Sequence, residues 1–502
     1  MLINSIFNFF HSRRLRCIDY FRKHPLEVQE ATLFDLIGKA KDTQWGRRCN
    51  FKSIRGVADF QRQTPLQKYE DLRPYIDKIR HGEKDVLWRG EIKWFAKSSG
   101  TTDAQSKLIP VSREALLDCH FRGGYDVLTF YARQNPKTKI FTSKTLTLGG
   151  SNEINRRENN SYFGDLSAIM IENIPLWINW LRTPPAKIAL LADFDRKLDD
   201  ITRHSVKKNV VAFAGVPSWN LVLMKHILNH TGKKNILEVW PDMELFMHGG
   251  VCFEPYREQY KNLFPSPAMH YLETYNASEG FFALQDEPHR DDMLLMLDYG
   301  VFYEFVPVEE LGKESPQAHA LDSVETNRNY ALAITTNSGL WRYLIGDTVM
   351  FTSTDPFKIK ITGRTKQFIN AFGEELIVDN AERALKEACA ATNAIISEYT
   401  AGPVYMTESQ NGAHEWLIEF EKEPEDLNAF TRKLDAVLCT LNSDYEAKRN
   451  KDITLRLPIV KSMPKGTFYE WMKQKGKLGG QNKVPRLAND REFLDEINES
   501  CK

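Results

Sequence analysis

The stretch Lys97-Ser98-Ser99-Gly100-Thr101-Thr102-Asp103-Ala104-Gln105-Ser106-Lys107 constrains this chain more than any other. Ser98 to Thr102 supply four hydroxyls and one glycine, just after the apolar run Trp94-Phe95-Ala96. A strand that stops in such a loop gathers short O–H and N–H donors at one point. Its glycine lets the backbone approach a ligand closely. Phosphate oxygens need that kind of surface, and Lys97 and Lys107 add positive charge at its two ends. An ordinary polar turn has the same composition, so the weight falls on what accompanies the loop elsewhere.

A chain of 502 residues is too long for one ordinary core, so two or more domains are expected. Lysine plus arginine and aspartate plus glutamate balance at 67 each, which leaves no basic field to attract nucleic acid. The seven cysteines (Cys17, Cys49, Cys119, Cys252, Cys389, Cys439, Cys501) form no C-x-x-C pair. That is the usage of a reducing compartment and argues against a disulfide or zinc scaffold. No apolar stretch is long enough to span a membrane. Leu2, Ile3, Ile6, Phe7 and Phe10 fall at helical spacing, and Arg13, Arg14 and Arg16 follow them, the wrong order for a secretory signal. The expectation is a cytoplasmic monomer acting on small molecules, with neither membrane nor nucleic acid as partner.

Residues 1 to about 90 read as mostly helical, with a helix starting near Thr64-Pro65. After a strand at Ile92–Ala96 come strand-like runs at Thr145–Leu148, Ile188–Ala192, Val210–Ala214, Glu244–Met247, Ser266–Tyr271, Leu294–Leu297 and Tyr330–Thr335, alternating with helical patterns such as Leu221–Leu228. Such alternation predicts an α/β fold with helix-covered sheets. A second unit starts near residue 365, with helices at Asp379–Ala391 and Leu427–Leu441 and strands at Ile395–Tyr399, Trp416–Phe420 and about Ile453–Leu457. The predicted layout is a large domain, 1–364, and a smaller α+β domain, 365–502.

Four motifs give the hydroxyl loop its context. In Tyr275-Asn276-Ala277-Ser278-Glu279-Gly280, Tyr275 suits a purine face and Glu279 a magnesium ion bridging phosphates, although a core tyrosine and a turn glutamate read alike. In Arg342-Tyr343-Leu344-Ile345-Gly346-Asp347, a carboxylate at the end of an apolar strand suits two ribose hydroxyls, or a plain hairpin exit. Gly363-Arg364, at the domain boundary, combines a hinge with a cationic contact. In Gln481-Asn482-Lys483-Val484-Pro485-Arg486, a lysine on a Gly-rich loop of a small domain can neutralise charge that develops between carboxylate and phosphate.

Together with the lead-in Pro65-Leu66-Gln67-Lys68-Tyr69-Glu70-Asp71, these motifs resemble, in order and spacing over nearly the whole chain, the auxin-responsive Gretchen Hagen 3 acyl acid amido synthetases. That family lies within the superfamily of acyl-CoA synthetases, peptide-synthetase adenylation domains and luciferases. The resemblance implies an adenylating domain under a mobile C-terminal lid, and a ligase that uses ATP and Mg2+. It activates a carboxylic acid as an acyl-adenylate and passes it to an amine, usually an amino acid. It implies that Ser98, Ser99, Thr101 and Thr102 hold phosphates, that Tyr275 stacks on the adenine with Gly249 and Gly250 passing close to it, and that Gly100 and Ser278 also belong to the nucleotide site. Glu279 is implied as the metal ligand, Asp347 as the ribose ligand, Arg364 as a nucleotide contact and Lys483 as the catalytic cation. His248 reads as structural. Lys465, Lys473, Lys475 and Lys477 share the same tail, but the Gln-x-Lys-x-Pro-Arg context selects Lys483. The acid is expected against Val211–Trp219 and Gly164–Met170. Two readings compete: thioester formation with coenzyme A, and a non-catalytic protein that binds nucleotide or acyl groups. No P-loop, G-x-G-x-x-G, H-E-x-x-H or G-x-S-x-G motif is present.

Overall fold

Apolar runs without polar alternation, such as Val210-Val211-Ala212-Phe213-Ala214, are what a strand buried on both faces requires. In the computed structural model this run lies within the strand Val210–Gly215, inside an eleven-stranded sheet. The structure describes residues 2–98, 107–150, 155–156, 161–250, 253, 256–365, 368–369, 371–372, 374, 376–405, 411–449, 455–478 and 483–500. It divides into two compact units. The first comprises Met1–Gly250, Phe264–Ile345 and Val349–Lys360; the second comprises Val251–Leu263, Gly346–Thr348 and Ile361–Lys502.

One half of the large sheet is parallel. Lys144–Thr147, Arg182–Thr183, Val210–Gly215, Leu245–Gly249 and His270–Ala277 run in the same direction, with Phe213 opposite Phe246 and Gly249 opposite Thr274. Parallel neighbours need crossovers, and the helix Pro217–Thr231 supplies one, entered through a proline and closed by Gly232 in the left-handed region. The hairpin Ser278-Glu279 then turns the sheet antiparallel through Gly280–Leu284 and Met293–Leu295 to Phe357–Arg364. A smaller sheet carries the hairpin Trp94–Ser98 and Lys107–Val111. The N-terminal helix Leu2–Lys23 is tied to the first unit by Arg14, which pairs with Asp298 and, at 2.7 Å, with the fully buried Asp126.

In the second unit, Ile395–Val404 pairs antiparallel with Ala413–Lys422, which pairs parallel with Ile459–Met463. The helices Val378–Thr392 and Leu427–Leu441 share with these strands a core built on Leu385, Tyr399, Trp416, Phe430 and Leu434. The α/β class, with a smaller α+β unit following the larger one, matches the expectation.

Several local readings need correction. Ile188–Ala192 is not a strand: Pro185 caps the short helix Ala186–Ala189, and so short an apolar run has no period to tell the two apart. The strand expected at Ser266–Tyr271 runs from His270 to Ala277, because turn hydrogen bonds at Ser266 and Met269 delay it. Part of the strand expected at about Ile453–Leu457 lies outside the described residues; its Leu455 makes an isolated bridge to Gly412, and a strand runs over Ile459–Met463. The helix expected at Thr64-Pro65 begins at Tyr69. Gln67 is extended instead, bridging Tyr343 through Gln67 N–H to the Arg342 carbonyl at 2.9 Å and Leu344 N–H to the Gln67 carbonyl at 2.8 Å.

Candidate active site

The stem of the hydroxyl loop is a regular antiparallel hairpin that ends with Ser98 opposite Lys107. Ser99, Gly100, Thr101 and Thr102 lie outside the described residues. Both stem lysines rest on aromatic faces: Lys97 Nζ is 5.3 Å above the Phe163 ring and Lys107 Nζ 5.6 Å above Tyr69. The Tyr69 hydroxyl accepts the Leu108 N–H at 2.9 Å, so the lead-in segment fixes the strand on which the loop returns.

Glycines and small turns collect at the carboxyl ends of the parallel strands, the edge where open α/β sheets bind ligands. Gly149-Gly150 follows Lys144–Thr147, Gly215 ends Val210–Gly215, Gly249 ends Leu245–Gly249, and Ser278-Glu279 follows His270–Ala277. A Cβ on Gly249 would lie 2.3 Å from the Thr274 carbonyl oxygen, and Gly250 has φ of +87°, so side chains are barred from this corner. Tyr275 is buried, its ring edge-on to Phe282 at 5.0 Å. Ser278 and Glu279 are 4% and 7% exposed.

The helical segment after the loop hairpin, Ala115–Phe121, grips this turn. Phe281 N–H donates to Cys119 Sγ at 3.1 Å, and His120 Nδ1 lies 3.3 Å from Asn276 Oδ1. Burial pushes the Cys119 thiol up to about 12 and His120 down to about 4, so neither is a thiolate nor an imidazolium at neutral pH. They hold the hairpin rather than react.

Asp347, Arg364 and Lys483 come together in the second unit. Asp347 sits inside the long strand Tyr343–Thr354, not at its end as expected; the left-handed Gly346 (φ +93°) kinks the strand without stopping it. Arg364, the last residue of Phe357–Arg364, donates from Nε to Asp347 Oδ1 at 2.9 Å. Thr365 N–H to the Gly346 carbonyl at 2.8 Å and Thr362 to Thr348 at 3.0 Å lock the two strands beside them. Lys483 is half-buried. Burial first, then the positive charge of Arg364, lower its ammonium from 10.5 to about 8, against the pull of Asp347. The rival lysines lie elsewhere: Lys475 pairs with Glu496 at 2.5 Å, Lys465 stands 3.8 Å from Glu421, and Lys473 and Lys477 are exposed.

The GH3 family N-terminal domain matches residues 14–269, the GH3 family central domain 294–364, and the GH3 family C-terminal domain 379–492. The chain belongs to the GH3 family. Among its relatives, the indole-3-acetic acid-amido synthetase GH3.8 of Oryza sativa subsp. indica is 25% identical, over 95% of this chain and 90% of that protein. The 4-substituted benzoates-glutamate ligase GH3.12 of Arabidopsis thaliana is 23% identical, over 88% of this chain and 89% of its own length. The solved GH3.15 acyl acid amido synthetase superposes with a TM-score of 0.77 at 18% identity, covering 97% of this chain and 95% of that one. A 2-hydroxyisobutyryl-CoA ligase shares the fold at a TM-score of 0.58, with 14% identity over 94% and 91% of the two chains.

Two supports beside these residues escaped the sequence reading. Lys197 is buried and donates from Nζ to the carbonyls of Gly149 at 3.2 Å and Gly150 at 3.0 Å, so a buried cation shapes the first glycine corner of the sheet edge. The Gly-Gly pair just after the strand expected at Thr145–Leu148 is the signal the sequence offers for it. Arg342, at the head of the Asp347 motif, has a left-handed φ of +45°. Its guanidinium holds Glu304 at 2.8–3.1 Å and the carbonyls of Gln61 and Thr64 at 2.8 and 2.6 Å. Breaking a buried pair of this kind costs about 3–5 kcal/mol, so Arg342 anchors the strand that carries Asp347.

A magnesium ion suits the donors present. Among the described residues no group of three or more His, Cys, Asp or Glu side chains is arranged to hold a metal. Mg2+ on a nucleotide takes most of its ligands from phosphates and water and needs one or two carboxylates, which Glu279 in its buried turn fits. Among the described residues no helix is long and apolar enough to cross a membrane.

Proposed function

We propose that this GH3 chain is an ATP- and Mg2+-dependent, AMP-forming ligase that joins a small carboxylic acid to an amine, an amino acid foremost, through an amide. The observation that carries the reading is the Arg364–Asp347 pair at 2.9 Å within electrostatic reach of Lys483, which relates three motifs more than 100 residues apart at their extremes. The amido synthetase relatives supply the amide.

In the first step a carboxylate oxygen of the acid bonds to the α-phosphorus of ATP, and the bond to the β-phosphate bridging oxygen breaks to release pyrophosphate. Ser98 and the loop 99–102 guide the departing phosphates, and Glu279 would hold the Mg2+ ion, which would supply charge neutralisation there. Gly249, Gly250, Tyr275 and Ser278 take the adenine, Asp347 the ribose hydroxyls, and Arg364 the nucleotide. Lys483 offsets the charge gathering between carboxylate and phosphate. In the second step the neutral amine bonds to the acyl carbon, the bond from that carbon to the AMP oxygen breaks to release AMP, and one amine proton passes to solvent. Positioning and electrostatics carry both steps, in keeping with the inert Cys119. The segment from 365 onward serves as the mobile lid, and Val211–Trp219 with Gly164–Met170 line the acid. The free thiols Cys17, Cys49, Cys119, Cys389 and Cys439 fit a cytoplasmic enzyme, and we read it as a monomer.

Pyrophosphate release across a panel of carboxylic acids, followed by mass spectrometry with mixed amino acids and coenzyme A, tests the reading. Acid-dependent pyrophosphate and an amide product are expected. A thioester alone would replace the amide, and no acid-dependent release would leave a binding protein.

Asp347→Ala should raise KM for ATP about 10- to 100-fold, the loss of a charged hydrogen-bonding group, with a smaller change in kcat. An unaltered KM removes Asp347 from the ribose.

A further inference from the structure

Arg486 stands three residues after Lys483, and its guanidinium is buried. From Nη1 it donates to Glu398 and, at 3.2 Å, to the Tyr399 carbonyl; from Nη2 it donates to the Tyr256 hydroxyl at 2.8 Å. It lies 3.6 Å from Glu382 and 4.7 Å over the Tyr399 ring. Tyr256 in turn donates to Glu398 at 3.2 Å. The backbone is stitched as well: Ala401 N–H donates to the Arg486 carbonyl at 2.9 Å, and Ala488 N–H to the Ala401 carbonyl at 3.0 Å.

Packing alone does not call for such a knot. An apolar side chain of similar volume would fill the space without desolvating a cation between two carboxylates. A planar five-donor fork on three separate chain segments instead fixes one geometry. Arg486's own segment and one of those three bear on the reaction. Val484 and the rigid Pro485 are the only residues between this anchor and Lys483, and both are buried. Tyr256 follows Gly250 by six residues, and Gln259, on the same connector, donates to the Ile396 carbonyl at 3.1 Å.

We infer that Arg486 is a positioning residue for Lys483, holding its backbone in register with Asp347 and Arg364, and that Tyr256 ties this anchor to the chain leaving Gly249-Gly250. The inference rests on the reading of Lys483 in the proposed function. A lysine stem is flexible, and a displacement of about 1 Å at a reacting centre costs up to 10²-fold in rate.

The test is acid-dependent ATP–pyrophosphate exchange in Arg486→Met and Tyr256→Phe, over a range of pH, with thermal unfolding in parallel. Tyr256→Phe keeps the ring, so the fold should survive. For both variants kcat should fall, by about 10-fold or more in Arg486→Met, with KM for ATP within about twofold. The high-pH limb should also move up from about 8 as Lys483, which faces Arg364 and Asp347, gains solvent. A purely structural knot would change the unfolding midpoint and leave kcat and the limb of the folded enzyme as in the wild type, which overturns the inference. Lys483→Ala in the same assay separates the two readings. If it abolishes exchange while the other two variants behave as wild type, only the inference fails. If it leaves exchange intact, both fail.

Discussion

Lys483→Ala is expected to lower acid-dependent ATP–pyrophosphate exchange by about 10²–10³-fold, the usual loss when one preorganised group facing transition-state charge is removed. ATP binding should change little, because the proposed function assigns the nucleotide to other residues. The pH dependence makes the prediction sharper. The cationic form does the work, and its pKa is held near 8 by burial and by Arg364. The contribution of Lys483 is therefore complete well below pH 8 and is lost as the pH rises through that value. Lys483→Arg keeps a charge that does not titrate in this range, so its residual exchange should lack the alkaline limb. Exchange in Lys483→Ala equal to wild type, or a limb that survives in Lys483→Arg, would assign the role to another group.

How far this was legible in the sequence depends on the range of the interaction that decides each feature. The parallel strand Val210–Gly215 announced itself, since its run Val210–Ala214 is apolar on both faces, and the helix Leu427–Leu441 has the boundaries its period predicted. The helix at Ala186–Ala189 did not, because the short apolar run Ile188–Ala192 that overlaps it fits either period and Pro185 decided it. Asp347 was found as a residue but misplaced at a strand end, because a kinking glycine and a terminating one look alike in sequence. Its partner Arg364 lies 17 residues away and was visible as a motif, yet the ion pair between them was not. The Tyr256–Arg486 contact spans 230 residues and joins two residue types without a shared pattern, so only the folded chain reveals it.

Glu279→Gln should depress exchange by about 10²-fold or more and raise the Mg2+ concentration needed for half-maximal rate, since the substitution keeps shape and hydrogen bonding but deletes the charge a hard cation seeks. The fold should tolerate it: Glu279 occupies a two-residue hairpin turn whose flanking pair, Ala277 and Gly280, stays bonded whatever the turn carries. The hairpin is also gripped from Cys119 and His120, so a change at Glu279 need not disturb Tyr275 or Ser278. The plain alternative, a glutamate that only shapes the turn, makes the opposite forecast. In that case Glu279→Gln would lower the unfolding temperature slightly and leave the Mg2+ dependence unchanged. Titrating Mg2+ at saturating ATP and acid therefore decides between them. A shifted requirement places the metal at the carboxyl end of His270–Ala277, on the same sheet edge as Gly249, where departing phosphates and adenine belong to one nucleotide.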